Sequence, residues 1–111
     1  MSLISWQDFE KVDLRAGTIV KAEPFSAARK PAYKLWIDLG ELGIKQSSAQ
    51  VTHYYNCAEL IGTQVVCVTN FPPKNIAGFI SEVLTTGLPD AEGHVALVRP
   101  SVSVPNGVKL F

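Results

Sequence analysis

Residues 70–87, NFPPKNIAGFISEVLTTG, set the tightest limit on the fold of this 111-residue chain. The stretch follows an apolar run, turns on Pro72 and Pro73, and carries one lysine, Lys74. Adjacent prolines fix an extended backbone and block ladder pairing, so they predict a loop between two strands. In a small β-barrel such a loop borders a ligand groove, and we expect residues 81–87 to form the last barrel strand.

Further strands and two short helices are predicted on either side of this stretch. Alternating or β-branched runs indicate strands at residues 13–25, 33–40, 44–51, 64–71 and 94–99. Ser5 can cap a helix over residues 5–11, and a second helix is expected at residues 57–60. Five main strands with a helix between the third and fourth match an all-β OB-fold barrel, here with a short N-terminal helix and a C-terminal extension.

The residue pattern predicts the shape of the first strand and the position of a later one. Gly17 indicates a bend or bulge in the first strand, which is long enough to serve both sides of a closed barrel. On that strand, one face is expected to carry Leu14, Ala16, Thr18, Val20 and Ala22, and the other Arg15, Ile19, Lys21 and Glu23. The run at residues 64–71 is apolar on both faces, so we expect it to be the central, doubly covered strand.

Length and composition limit the class of protein. With 47% hydrophobic and 18% charged residues, the chain is expected to form one folded domain over residues 1–111 rather than a disordered segment. Ten basic and ten acidic side chains give a formal net charge of zero. Any anion site must therefore come from local charge placement.

Several functional classes find no support in the motifs. Cys57 and Cys67 show neither metal-ligand spacing nor a disulfide framework, which predicts reduced thiols in a cytoplasmic protein. The first residues lack a signal-peptide pattern, and no apolar run approaches the length of a membrane span. Without a phosphate-cradling glycine loop, a catalytic set or a metal-ligand cluster, we expect a non-enzymatic protein that needs no cofactor.

The second and third strands present a candidate binding face. Alternation separates an apolar side of residues 33–40 from a side that carries Lys34 and Trp36. OB-folds bind oligonucleotides across the outer face of these strands. That face is expected to carry Lys34, Trp36, Lys45, Ser47 and Ala49. A stacking ring beside a cation is typical of nucleic-acid surfaces, although the same pattern fits a solvated lysine beside a covered tryptophan.

Both ends of the chain are apolar. Trp6, Phe9 and Val12 fall close to one face of the first helix, and valines recur in the tail. The aromatic stripe either closes one end of the barrel or packs against a partner subunit. A tail of this composition is expected to pack on its own domain or on a neighbour.

Three segments resemble the tRNA-binding domain that is appended to bacterial methionyl-tRNA synthetase and to the β-subunit of phenylalanyl-tRNA synthetase. DLRAGTIV at residues 13–20 is similar to the opening motif of that family, and KLWIDLG at residues 34–40 to its next strand. NFPPKNIAGFISE at residues 70–82 resembles its most specific signature. The resemblance covers nearly the whole chain.

Within that family the chain resembles the CsaA-like export chaperones, through residues 29–38, 45–50 and 104–107. The resemblance implies an OB-fold and a homodimer built with the N- and C-terminal elements. The candidate dimer contacts are Trp6, Phe9, Val102 and Val104. The implied partners are tRNA, unfolded preprotein peptides or both, without membrane insertion.

The candidate ligand contacts combine the resemblance with the outer face. The family pattern implies RNA contacts at four positions, while one further lysine and two aromatic residues come from the predicted surface. Together they are Lys34, Trp36, Lys45, Asn70, Lys74, Phe79 and Ser81. The family signature ends Ser-x-Gly-Met, whereas this chain reads Ser81-Glu-Val-Leu84. With an exposed Trp36, this departure favours an apolar groove that accepts peptides.

Three functions follow as hypotheses. The first is a protein-export chaperone that binds unfolded preproteins and keeps tRNA-binding character. The second is a tRNA-binding module that acts in trans on translation. The third is a purely structural or oligomerising subunit.

Overall fold

Five strands form one curved sheet in the computed structural model, which describes residues 1–111. The elements in chain order are α1 (Trp6–Glu10), β1 (Leu14–Pro24), β2 (Tyr33–Asp38), a 3-10 helix (Gly40–Leu42), β3 (Ile44–Ala49), α2 (Cys57–Leu60), β4 (Gln64–Val68), β5 (Lys74–Ile76), β6 (Phe79–Ser81), β7 (Leu84–Thr85), β8 (Gly87–Pro89) and β9 (Val95–Leu97). Both predicted helices are present. The nearly closed sheet confirms the predicted all-β OB-fold barrel.

β1 occupies the middle of the sheet, whose order is β3-β2-β1-β4-β7. All neighbours are antiparallel. The prediction that residues 64–71 form the central strand is wrong, because β4 lies between β1 and the short β7. Its apolar character has two sources: Val65 and Cys67 are fully buried in the barrel, while the backbone of Val66 is covered by Val98, to which its amide donates at 3.2 Å.

The bulge of β1 lies at Val20 and not at Gly17. Between Ile19 and Lys21 the register with β2 shifts by one residue, which leaves Val20 41% exposed. Before the bulge, Gly17 and Ile19 share the barrel interior, and after it Ala22 does, so one alternation cannot describe the strand. The expected pair of faces is therefore wrong. Gly17 serves close packing instead, since a Cβ atom there would lie 2.6 Å from Ile37 Cγ2.

The barrel interior holds the main core. Leu35 and Ile37 of β2 are fully buried, as the alternation of that strand predicts. The one buried polar side chain, Ser47, accepts a hydrogen bond from the Thr85 hydroxyl at 2.8 Å, so burial leaves it satisfied. Burial also raises the pKa of the Cys67 thiol to about 11, which keeps the thiol neutral and unreactive at physiological pH.

The C-terminal tail completes one edge of β1. Ala16 N donates to Val108 O at 3.1 Å, Gly107 N donates to Ala16 O at 2.7 Å, and Leu110 N donates to Leu14 O at 2.8 Å. Because β2 pairs with the later part of β1, the tail fills the edge beside its first residues. The tail therefore packs on its own domain, one of the two arrangements that its composition allowed.

The stretch at residues 70–87 is more complex than a loop and one strand. β5 and β6 form a hairpin across Ala77 and Gly78, whose φ angles of 47° and 88° fit a type I′ turn. β7 then pairs with β4, and β8 leaves the barrel to pair with β9. The prediction of a single strand over residues 81–87 is therefore wrong, because β6, β7 and β8 each pair with a different strand.

The two helices are short and capped in the same way. In α1 the Ser5 hydroxyl accepts from Asp8 N at 3.0 Å while the Asp8 carboxylate accepts from Ser5 N at 3.0 Å. Asn56 and Glu59 form the equivalent capping box in α2. Neither helix has the length and apolar character needed to cross a membrane.

Candidate nucleic-acid interface

The outer face of β2 and β3 carries Lys34 and Trp36, as predicted. In the ladder, Lys34 lies opposite Ser48 and Trp36 opposite Gln46, so these four side chains share one face. The rest of the expected face is wrong. Lys45 lies opposite Ile37 and Ser47 opposite Leu35, which places them, and Ala49 with them, on the interior side. The expected register was off by one residue, and such a slip moves every side chain to the other face.

Trp36 is held by an aromatic cluster on this face. Its ring meets Phe79 edge-on at 5.6 Å between centroids, and Phe79 meets Phe25 in the same way at 5.5 Å. With its amide oriented to satisfy both atoms, Gln46 accepts from Trp36 Nε1 at 3.2 Å and donates to Ile80 O at 2.9 Å. Trp36 is therefore half-buried and fixed, not an open stacking platform, and Phe79 is buried between its own hairpin and the outer face.

Two lysine ammonium groups lie over these rings. Lys34 Nζ is 5.0 Å from the centroid of Phe25 and 5.4 Å from that of Phe79. Lys21 Nζ is 4.5 Å from the centroid of the Trp36 ring and 3.3 Å from the Glu23 carboxylate. Cation–π contacts of this length hold a positive charge in place at an exposed surface. Alternation alone does not predict the contact of Lys21 with Trp36, because the bulge at Val20 brings Lys21 opposite Trp36.

The hairpin of β5 and β6 is anchored to β3 by polar contacts. Ser48 N donates to the Ser81 hydroxyl at 3.0 Å, and Gln46 N donates to the Glu82 carboxylate at 3.0 Å. In return, Glu82 N donates to Gln46 O at 2.8 Å. Glu82 also lies 3.9 Å from Lys45 Nζ. Ser81 and Lys45 thus both have partners within the chain, and the departure from the family signature at Glu82 serves barrel closure.

Asn70 joins the start of β1 to the loop that follows β4. Its amide accepts from Asp13 N at 3.1 Å and donates to Lys11 O at 2.7 Å. Asp13 is held in turn by Thr69 and Arg15. Although burial acts the other way, hydrogen bonds from Thr69 and Arg15 lower the pKa of Asp13. Asn70 therefore has a clear structural role at this junction.

A groove runs beside the hairpin, with a volume of about 430 Å³. We call it the hairpin groove. It is lined by Ser48, Phe71, Pro72, Lys74, Ile76, Ser81, Glu82, Val83 and Leu84. Phe71, at 55% exposure, and Leu84 supply accessible apolar surface, whereas Val83 is part of the barrel core. Exposed Lys74 brings a cation to the rim, and Glu82 brings the opposite charge.

A second cavity of about 330 Å³ adjoins the groove and shares Phe71, Glu82 and Val83 with it. Lys45 and Asn70 line this neighbour. The seven predicted contacts therefore fall in three adjacent places. Lys34, Trp36 and Phe79 lie in the aromatic cluster, Lys74 and Ser81 in the hairpin groove, and the remaining two in the second cavity. No group of three or more His, Cys, Asp or Glu side chains is placed to hold a metal ion.

A family model described as "Putative tRNA binding domain" matches residues 14–109. The chain belongs to the tRNA-binding domain family. The match spans β1 through the tail and includes the hairpin groove, the lysine-bearing outer face and the lining of the second cavity except Asp13.

Solved structures of CsaA chaperones match this chain over almost its full length. The chaperone CsaA from Bacillus anthracis str. Ames is 53% identical with a TM-score of 0.92, and covers 99% of this chain and 100% of its own. The CsaA chaperone from Picrophilus torridus is 45% identical with a TM-score of 0.91, and covers 98% of this chain and 100% of its own. The predicted resemblance to CsaA-like proteins is confirmed.

The same domain occurs within larger enzymes. The methionine–tRNA ligase of Chlorobium chlorochromatii (strain CaD3) is 36% identical over 94% of this chain. The chain spans 14% of the length of that ligase. The similarity therefore concerns the appended domain alone.

We expect Phe79→Ala to loosen the hairpin from the outer face. The substitution removes a buried ring and should lower the free energy of unfolding by about 3 kcal/mol. Urea denaturation followed by circular dichroism measures this loss, and Trp36 emission in a Trp6→Phe background should shift to the red. Ile80→Ala is the matched control, because the adjacent Ile80 is 42% exposed and should change stability by about 0.5 kcal/mol or less. Equal losses for both variants would contradict this account of the cluster.

Proposed function

We propose that the protein is a chaperone of the CsaA type that binds unfolded preprotein segments during export and retains tRNA-binding character. The observation that carries the proposal is the full-length 53% identity to a CsaA chaperone, with both chains covered almost completely. We further propose that it acts as a binding protein without catalysis, in the cytoplasm. Its free thiols, Cys57 and Cys67, suit that reducing compartment.

The hairpin groove is the proposed seat of the peptide. An unfolded segment offers apolar side chains at alternate positions and backbone groups between them. Phe71, Pro72 and Leu84 supply apolar walls, while Lys74 and Glu82 stand at the edge for backbone carbonyls and amides. Because the rim carries charges of both signs, it suits a peptide backbone, which offers both hydrogen-bond donors and acceptors, better than a purely anionic ligand.

Peptide affinity should depend on the exposed apolar walls. We expect Phe71→Ser and Leu84→Ser each to raise the Kd for a dye-labelled unfolded apolar peptide about tenfold, because about 1.4 kcal/mol of apolar burial is lost. Fluorescence anisotropy measures the Kd. Leu88→Ser serves as the matched control, since Leu88 is an exposed leucine that lines neither cavity. Wild-type affinity in both groove variants would exclude the hairpin groove as the peptide-binding site.

We propose that tRNA meets the lysines around the groove instead of its apolar walls. Lys34 and Lys74 lie on either side of Ser48, which pairs with Lys34 in the ladder and lines the groove with Lys74. Their charges can neutralise backbone phosphates without reading bases. Lys45 is a weaker candidate, since it already has Glu82 at 3.9 Å. Asn70 and Ser81 would act by positioning the loop and hairpin.

The double substitution Lys34→Ala/Lys74→Ala should weaken the binding of bulk tRNA. If both lysines meet phosphates, the slope of log Kd against log salt should fall by about 2. Anisotropy of labelled tRNA between low and near-physiological salt measures the slope. Lys11→Ala/Lys109→Ala removes the same charge from the α1 end of the molecule and should leave the slope unchanged. A slope that falls equally in both pairs would show that only net charge matters.

A competition separates the chaperone from a module that acts on translation. Under the chaperone proposal, an unfolded apolar peptide binds with little salt dependence and tRNA binding is weak. Tight, salt-sensitive tRNA binding that the peptide cannot displace would favour the translation module, the function that the family match alone supports.

We also propose that the protein is a homodimer assembled through its apolar ends. Trp6, 60% exposed, and Phe9 lie 5.3 Å apart between ring centroids. Together with Val12, Leu110 and Phe111 they surround a shallow cavity of about 150 Å³. Contiguous exposed apolar surface of this kind is typical of protein interfaces. Val102 is exposed as well, while Val104 is half-buried and bonded through its backbone to Gln64.

Substitutions at this patch should produce monomers. Because the tail pairs with β1, its deletion would damage the barrel, so we prefer Trp6→Glu combined with Phe111→Glu. Sedimentation velocity should show a shift from dimer to monomer with unchanged circular dichroism. Leu88→Glu places one new charge on a different exposed apolar residue and should leave the dimer intact. A wild-type sample that sediments as a monomer would refute the dimer.

A further inference from the structure

A cavity of about 590 Å³ opens at one end of the β2–β3 pair. It shares no lining residue with the hairpin groove or the second cavity. Both of those contain Glu82, whereas none of the residues lining this cavity is acidic. Its polar lining side chains are those of Lys30, Gln50, Thr52, His53 and His94. In a chain with no net charge, this is a local concentration of hydrogen-bond donors and positive charge.

The two histidines of the chain are stacked on each other at this cavity. The rings of His53 and His94 are parallel within 3°, with their centroids 3.5 Å apart. Tyr54 packs edge-on against His53 at 4.7 Å. Imidazole is the side chain that changes charge between about pH 5 and 8. A proton on either ring would place a positive charge at this cavity.

The surrounding charged groups are already engaged. The Asp90 carboxylate accepts from His94 N at 2.9 Å and from Glu92 N at 3.0 Å, and the Tyr54 hydroxyl donates to it as well. This hydrogen bond from Tyr54 lowers the pKa of Asp90. The Glu92 carboxylate lies 3.8 Å from His94 Nε2 and is largely exposed. The Glu92 carboxylate is thus the acidic group that would compete with a bound anion for a positively charged His94 ring.

The cavity continues the lysine-bearing outer face. Gln50 follows β3 in the same alternation as Gln46 and Ser48, which face Lys34 and Trp36 across the ladder. Gln50 is two positions beyond Ser48 and directly follows the last residue of β3, so the two lie about 6.6 Å apart along an extended backbone. Lys30 lies in the loop that leads into β2, the strand that pairs with β3. The donors of this cavity therefore lie in line with Lys34.

We propose that this cavity binds a phosphate group, held by Lys30 and the stacked rings of His53 and His94. Lys30 supplies a permanent charge, and one imidazolium N–H adds a second, proton-dependent charge. Gln50 and Thr52 contribute neutral donors to the remaining oxygens. Affinity rises as the pH falls, because protonation adds positive charge next to the anion. The site does not depend on the proposed function, since a simple oxyanion suffices to test it.

Proton–carbon NMR of the full-length protein tests the site through the ring signals of His53 and His94. Sulfate is the first probe, because its charge does not change over the range used. At about pH 5.5 the two ring signals should shift saturably with sulfate, and at about pH 8 the affinity should be about tenfold weaker. Chloride at matched ionic strength should cause no saturable shift. A saturable sulfate effect that is equal at both pH values would overturn the role of the stack.

Single substitutions test which charged side chains contribute to sulfate binding. Lys30→Ala and His53→Gln should each weaken sulfate binding about fivefold at about pH 5.5, whereas Glu92→Gln should strengthen it about twofold by removing the competing carboxylate. Lys11→Ala, distant from the cavity, is the control and should bind as the wild type does. Absence of saturable binding, or wild-type affinity in both Lys30→Ala and His53→Gln, would overturn the proposal.

Two further probes identify the source of the phosphate. Inorganic phosphate represents the free ion, and the dinucleotide uridylyl-uridine represents an internal phosphodiester, with uridine as the control without phosphate. Binding of the dinucleotide at least as tightly as inorganic phosphate would assign the site to an oligonucleotide backbone. Binding of inorganic phosphate alone would assign it to a free phosphate ligand. Loss of tRNA binding in Lys34→Ala/Lys74→Ala would leave these results unchanged, so the two proposals can fail separately.

Discussion

Two backbone amides, those of Glu82 and Val83, donate to the single carbonyl oxygen of Gln46, and this junction holds the far end of the sheet against β3. Without it, β3 would be an open edge with unpaired backbone groups. The junction also fixes where the hairpin of β5 and β6 must lie. Phe79 is then placed on the ring of Trp36, and the cluster that supports Lys34 and Lys21 follows from that contact. The chemistry of the outer face is thus set by how the barrel closes.

The difference between β2 and β3 shows which part of a strand can be predicted. In β2 the two sets of alternate residues differ sharply in polarity. Leu35 and Ile37 are aliphatic, whereas Lys34 and Trp36 carry polar groups, so the two faces follow from alternation alone. The residues of β3, IKQSSA, are polar in both phases. Its register is decided by pairing with β2 and by the buried hydrogen bond of Ser47, and both are tertiary facts.

The family of the protein can be predicted from the sequence because its signature is a continuous motif. The signature at residues 70–82 led to the right family, and the lysines near it were found by position. Alternation places Trp36 on the outer face, but it does not predict the contact through which Phe79 packs on the Trp36 ring. Local pattern likewise does not predict the hydrogen bond from Asn70 to Lys11, which lies 59 positions away along the chain. Contacts at such separation have no counterpart in local periodicity.

The pairing of residues 107–110 with β1 delays completion of the sheet until those residues have been synthesised. Arg15 donates to Gly107 O, a contact between residues 92 positions apart in the chain. Contacts so distant in sequence form late and slow the search for the native state. At translation rates of about 5 to 20 residues per second, the edge of β1 stays uncovered for several seconds while the rest of the chain is made. During that interval the nascent chain presents an open strand edge, with unpaired backbone groups that could pair with another chain.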